Sequence, residues 1–208
     1  MSNVIVDEGF EGPRYDERLR WHCPPPRWTI GESRLSVFPD ANTDFWQRTH
    51  YAFCADDGHF LGLPVEGNFT LSTKVRFFPV HQYDQAGLML RYSPECWLKT
   101  SVEYEPEGAC RLGTVVTQRG YSDWSTQNFP ADRHELALRV RKQGNDLTVE
   151  HLEPGTLGGS VKAAAWTQMR LAHLSPPKGV PLHAGLYACS PKGAGFRAEF
   201  EFLLIEAL

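Results

Sequence analysis

An all-β fold, a sandwich of antiparallel sheets, is what this sequence predicts, and three observations predict it. Helical periodicity is scarce along the 208 residues. Fifteen Pro and eighteen Gly punctuate the chain at short intervals, as strands joined by turns require. Residues 83–117 read as three consecutive strands broken at Ser93-Pro94-Glu95 and Pro106-Glu107-Gly108, with side chains alternating between two faces. One face collects Ala86, Leu88, Leu90, Cys96, Leu98, Val102, Tyr104, Leu112 and Val116, which is a core. The length suits one domain over 1–208, large enough for a two-layer core without a disulfide or metal staple. Ordinary strand and loop lengths give it roughly 10–14 strands.

Taken in order, residues 1–26 read as an irregular segment packing on the sandwich. They end in Cys23-Pro24-Pro25-Pro26, a stiff extended entry to the first strand. Strands are expected at 27–30, 34–38, 49–53 and 68–78, then the three already described. Next, 134–142 sets Leu136, Leu138 and Val140 against Glu135, Arg139 and Arg141, a half-buried alternation. Gln143-Gly144-Asn145 turns the chain into a strand at 146–152. The segment 153–165, rich in Gly and Ala, reads as a mobile loop. Strands at 166–173, 182–188 and 196–205 complete the chain, the last with Phe196, Phe200, Phe202 and Leu204 in one parity.

Composition excludes several classes of function. A net charge of -4 with interspersed signs offers no basic surface for phosphates, so no nucleic-acid partner is expected. The N-terminus lacks a basic start and an apolar h-region, and no apolar run reaches membrane-spanning length, so a soluble, cytoplasmic protein is expected. Five cysteines with no CxxC spacing argue against a zinc ribbon, and Cys96 on the apolar face reads as a buried reduced thiol. Six Trp exceed what packing needs, which points to some rings exposed for ligand stacking, although sandwich cores also use Trp.

The second face of 83–117 carries the candidate site. Pairing the strands across their turns sets Arg91 opposite Trp97, Met89 opposite Lys99, Gly87 opposite Ser101 and Gln85 opposite Glu103. The third strand sets Arg111 beside Glu103, Gly113 beside Ser101, Val115 beside Lys99 and Thr117 beside Trp97. Three rows result: polar Gln85–Glu103–Arg111, a trough of Gly87–Ser101–Gly113, and a further edge with Lys99, Arg91 and Trp97. Small residues let a ligand approach the backbone, Trp97 offers a ring on which Arg91 stacks, and sugar hydroxyls suit the carboxylate, amide and ammonium groups. The bland alternative is a covered packing groove with Glu103 and Arg111 as a buried ion pair.

Other constellations speak less clearly. Asp44 with Trp46, and Asp123 with Trp124, are polar–Asp–aromatic segments at strand ends that either cap turns or present a Trp at a pocket rim. Glu103, Glu105 and Glu107 alternate, and two carboxylates on one strand would suit glycoside hydrolysis. However, Pro106 ends the strand, and pairing with Arg111 would hold Glu103 at a low pKa. The eight His show no zinc spacing, although His50, His59 and His81 fall near loops that could meet. Asp56-Asp57-Gly58-His59 has turn composition and would bind calcium only if other oxygens converged. No metal and no cofactor is expected.

TDFWQRTHY, YDQAGLMLRYSPECWLKTSVEYE, LGTVVT followed by SDWS, and ACSPKGAGFRAEFEF resemble, in this order, the regulation-of-enolase family, a domain-of-unknown-function group in the concanavalin A-like lectin/glucanase superfamily. The resemblance runs from about residue 21 to 202. It implies a concanavalin A-like jelly-roll sandwich of two curved antiparallel sheets, with the concave sheet as ligand face, and no settled enzyme activity. A yeast-type member's association with a glycolytic enzyme implies a cytoplasmic regulatory role as an option. The glucanase signature Glu-x-Asp-x-(x)-Glu is broken here, with Glu105 where Asp would stand, followed by Pro106.

The leading expectation is a non-catalytic, lectin-like domain binding a carbohydrate or small polar metabolite through Gln85, Arg91, Trp97, Lys99, Glu103 and Arg111, with Trp46, Trp124, Asp44 and Asp123 at the rim. The alternatives are a protein-interaction domain using Trp46 and Trp124 as hot spots, or a glycoside hydrolase using Glu103 and Glu105.

Overall fold

A computed structural model describes residues 3–152 and 165–208. Among them are seventeen strands and no helix. They are β1 Val4–Glu8, β2 Arg20–His22, β3 Arg27–Gly31, β4 Arg34–Phe38, β5 Phe45–Gln47, β6 Cys54–Asp56, β7 His59–Pro64 and β8 Phe69–Phe78, followed by β9 Gln85–Ser93, β10 Cys96–Glu103, β11 Cys110–Gln118, β12 Tyr121–Phe129, β13 Glu135–Gln143, β14 Asp146–Leu152, β15 Thr167–His173, β16 His183–Cys189 and β17 Arg197–Ala207. The loop expected at 153–165 lies, except for Ala165, outside the described residues.

Two antiparallel sheets make a concanavalin A-like jelly-roll sandwich. One runs β15-β14-β13-β8-β17-β4-β3, with β1 added to β17; the other runs β12-β11-β10-β9-β16-β7-β2. Their facing sides bury one apolar core, in which Leu35, Leu61, Phe69, Leu88, Leu98, Leu138, Phe196 and Phe200 are fully enclosed. Each such side chain contributes about 1.5–3 kcal/mol by leaving water. The pairing of β9, β10 and β11 is the expected register, residue for residue from Gln85–Glu103 to Thr117–Trp97.

The sequence reading needs several corrections. Residues 1–26 are not irregular throughout: they supply β1 and β2, with Val6, Phe10 and Leu19 buried in the core. In β17 a bulge between Phe200 and Phe202 changes the phase, so Leu203 and Ile205 join the core while Phe202 is only half-buried. No strand forms at 49–53; β5 and β6 flank a turn in which Arg48, His50 and Ala52 all take left-handed backbone conformations (φ 55°, 63° and 55°). β7 and β12 were unforeseen, and the seventeen strands exceed the expected 10–14; β12 forms the edge of its sheet, with most of its side chains exposed.

The β5–β6 hairpin stands on the outer face of the seven-stranded sheet. Gln47 N donates to Ser122 Oγ at 2.9 Å, and Arg48 reaches both Glu95 and the Gly120 carbonyl. The loop before β5 is held to the end of β16 by Asn42 N donating to Ser190 O at 2.8 Å. A second apolar cluster forms under the hairpin from Phe45, Trp46, Phe60, Met89, Trp97, Val115, Tyr187 and Cys189. The hairpin and this cluster decide which part of the polar face remains open.

Candidate functional site

Beside the hairpin lies a cleft of about 460 Å³. Gln85, Lys99 and Glu103 from the sheet line it with Asp44 and Trp46 of the hairpin side and Trp124 of β12. Tyr51, Phe53, Asp57, Tyr83 and Lys192 also line it. The walls are aromatic and set at steep angles to each other. Trp46 meets Trp124 at 86° with centroids 6.5 Å apart and meets Tyr51 at 62° and 5.6 Å. Tyr51 and Phe53 are 52% and 43% exposed, a high exposure for rings of this size.

The polar groups beneath are nearly dry. Lys99 is 2% exposed, and its Nζ donates to Asp44 Oδ1 at 3.0 Å and to Gln85 Oε1 at 2.8 Å. An ammonium has three N–H groups, so one is left for a ligand. Burial opposes the Lys99 charge, but Asp44 and Glu103 outweigh it, and its pKa lies above the ordinary lysine value. Gln85 is oriented by its own bonds: Nε2 donates to the Tyr83 carbonyl at 3.1 Å, which leaves Oε1 for Lys99. Asp44 Oδ1 also accepts from Phe45 N at 2.7 Å, and Asp44 N donates to Asp57 Oδ1 at 3.0 Å.

Glu103 is 8% exposed, and no hydrogen bond or ion pair reaches its carboxylate from the described residues. Burial pushes its pKa up to about 7; Lys99 pulls it down, while Asp44 and Glu105 push it up. The low pKa expected from pairing with Arg111 is therefore overturned. Arg111 lies across from Glu103 in the ladder, but its guanidinium donates instead to Asn128 Oδ1 at 2.7 Å on the neighbouring strand.

The structure brings Gln85, Lys99, Glu103, Asp44, Trp46 and Trp124 to one cleft, and it does not bring the other candidates there. Trp97 is 0% exposed beneath Phe45, with Nε1 donating to the Pro94 carbonyl at 3.0 Å, so it offers no ring for stacking. Arg91 does not stack on Trp97; it pairs with Asp56 at 2.6 Å. Asp123 does not line this cleft; it sits within β12 and pairs with Arg170 at 2.6 Å. Glu105 accepts from Gln82 Nε2 at 2.8 Å and lines a separate groove with Phe78 and Val80, so it does not share the cleft with Glu103.

The Gly87–Ser101–Gly113 trough is a packing groove. Tyr187 lies beside Gly87 in the β9–β16 ladder and extends its hydroxyl to 2.8 Å from Ser101 Oγ. At Gly113 an added Cβ would come 2.9 Å from Trp124 Nε1 and 2.8 Å from the Ser125 carbonyl. Sequence reasoning missed Tyr187, Asp57 and Lys192 as neighbours of the site. Only the parity of β16 carried a signal for Tyr187, which alternates with core residues Leu186 and Ala188.

Among the described residues no group of three or more His, Cys, Asp or Glu could hold a metal ion. His59, for example, is used up structurally, with Nε2 accepting from Asp40 N and Nδ1 facing the Cys23 carbonyl. Cys96 is buried, and burial pushes its thiol up to about 11. No helix among the described residues is long and apolar enough to cross a membrane.

Comparison with known proteins places these features in context. The family described as "Protein of unknown function (DUF1349)" matches residues 21–208. A Saccharomyces cerevisiae protein named Regulation of enolase protein 1 is 32% identical over 167 residues, covering 80% of this chain and 78% of its own. The crystal structure of a functionally unknown protein from Saccharomyces cerevisiae superposes with a TM-score of 0.79 at 30% identity, over 92% of this chain and 97% of that one. The GH43 protein BlXynB from Bacillus licheniformis shares the fold at a TM-score of 0.73 and 16% identity; 97% of this chain matches 39% of that one.

Proposed function

The chain belongs to the DUF1349 family of proteins of unknown function, and on that premise we propose that it is a non-catalytic domain binding a sugar or sugar-like polar metabolite in the cleft beside the β5–β6 hairpin. One observation carries this reading. A Lys99 ammonium with one N–H to spare and a Glu103 carboxylate with no partner among the described residues lie together under aromatic walls. A donor and an acceptor in one cleft suit the hydroxyls of one sugar, and ring faces suit its C–H faces. Catalysis by the expected carboxylate pair has no geometric support, since Glu105 faces another groove. Titration of a panel of monosaccharides and short oligosaccharides tests the proposal. Binding should be lost or weakened tenfold or more in Trp124→Ala and Lys99→Gln; equal affinity in both variants would remove the cleft from consideration.

A second reading, regulatory docking on a glycolytic enzyme, is favoured by the name of the yeast relative and by exposed Tyr51 and Phe53. Aromatic side chains of this kind serve as anchors at interfaces. Co-sedimentation or pull-down with purified enolase tests it, with retention expected for the unaltered protein and loss in a Tyr51→Ala/Phe53→Ala variant.

A further inference from the structure

Resting on the sugar-binding reading, we infer that the cleft selects a cationic sugar, one carrying a free ammonium group, with the ammonium at Glu103 and the hydroxyls at Lys99. The argument starts from Glu103. The residue is more than nine-tenths buried and lines the cleft, and no hydrogen bond or ion pair reaches its carboxylate from the described residues. A buried acid without a partner is costly, and the deficit is removed by a ligand that supplies a cation and N–H donors.

The nearest cation of the protein is already offset. Lys99 is bound to Asp44, and the Asp57 carboxylate adds a further negative charge to the lining. Lys192 also lines the cleft, with its Nζ 5.6 Å from the centroid of the Tyr83 ring, so two ammonium groups stand against the three carboxylates of Asp44, Asp57 and Glu103. The floor therefore carries an excess of negative charge once Glu103 ionises. Its walls are π faces, which attract cations most strongly where water is excluded. Trp46 stands nearly perpendicular to Trp124, so rings approach a bound group from more than one side. Burial holds the Glu103 proton near neutrality, and an arriving ammonium displaces that proton by favouring the ionised acid.

A plain alkylammonium would satisfy Glu103 but leave the free N–H of Lys99 without an acceptor. A neutral sugar would satisfy Lys99 but leave the aromatic walls and the surplus negative charge without a cation. An amino sugar meets both requirements, which is why it is preferred to either.

Calorimetric or fluorescence titration at pH 7 and low salt compares D-glucosamine, N-acetyl-D-glucosamine and D-glucose. Glucosamine is expected to bind at least tenfold more tightly than the two neutral sugars. Glu103→Gln should abolish the preference, leaving glucosamine no tighter than glucose in the same variant. Asp57→Asn, in which an amide oxygen still accepts from Asp44 N, should narrow the ratio of glucosamine to glucose affinity about threefold, and it serves if the first variant does not fold. Equal affinities in the unaltered protein, or a glucosamine preference that survives both substitutions, overturn the inference while the sugar-binding reading stands. Absence of binding by all three sugars overturns both.

Discussion

Lys99 of β10 and Asp44, one residue ahead of β5, are joined by a 3.0 Å ion pair that fastens the β5–β6 hairpin to the sheet beneath it. The two ends differ in exposure: Lys99 is enclosed, whereas Asp44 is partly open to the cleft. Removing one member of a buried pair costs most when the survivor cannot reach water. Asp44→Asn should therefore destabilise the protein by about 3 kcal/mol, and Lys99→Met by about 1 kcal/mol. Urea denaturation of both variants and of the double variant is the measurement. Equal costs for the two, or strict additivity in the double variant, would count against the pair as the fastening.

Glu103 gives the protein a pH dependence with a definite sign. Its pKa rises from an ordinary 4.5 to about 7 on folding. In that window the folded chain holds a proton that the unfolded chain has released, so stability falls as pH rises from about 4.5 to 7 and is level above it. The whole effect is about 3 kcal/mol. Glu103→Gln abolishes it, and the difference in unfolding free energy between the two proteins, followed between about pH 5 and 8, isolates it from other titrating groups. A flat difference would mean that Glu103 is not perturbed by burial.

Trp97 and Trp124, both candidates for the site on sequence grounds, should behave in opposite ways. Trp97→Phe removes a buried indole and its bond to the Pro94 carbonyl, at a cost of about 1–3 kcal/mol. It leaves sugar affinity unchanged, because the ring does not line the cleft. Trp124→Ala should do the reverse, with little loss of melting temperature and a large loss of affinity. Thermal melts beside ligand titrations separate the two effects. A Trp97→Phe variant of normal stability but impaired binding would contradict this placement.

What could be read from sequence divides along physical lines. Alternation of side chains is local, so the two faces of β9, β10 and β11 and their register were legible from residues 83–117 alone. What covers a face is not local. The β5–β6 hairpin and Tyr187 come from distant segments, and they turned the expected Gly87–Ser101–Gly113 trough into packing while leaving Lys99 and Glu103 at the floor of the cleft. Cross-strand adjacency also misled at Arg111, since a long guanidinium stem reaches Asn128 on the next strand as easily as Glu103. β12 went unread because an edge strand with one exposed face and few apolar residues carries little alternation. The phase change in β17 depends on a bulge, and nothing in the run Phe200-Glu201-Phe202 announces one.

Gly58 offers the strictest test of how the site is assembled. It links β6 to β7, and a Cβ placed there would press into the Phe45 ring and Cys189 Sγ. Neither neighbour can yield easily. Phe45 is fully buried, with Trp97 and Tyr187 edge-on at 6.2 and 6.3 Å, and Cys189 lies in the last position of β16. Any displacement of Phe45 moves Asp44, its neighbour in the chain, and so disturbs the Lys99 pair at the cleft floor. Gly58→Ala should therefore cost about 1–3 kcal/mol, the usual penalty for overpacking. It should also alter the near-ultraviolet circular dichroism of the tryptophans around the cleft. Shortening the obstructing ring relieves the clash, so Phe45→Leu combined with Gly58→Ala should be more stable than the sum of the two single costs predicts. Full additivity in that double variant would show that the hairpin is not seated on Gly58 in this way.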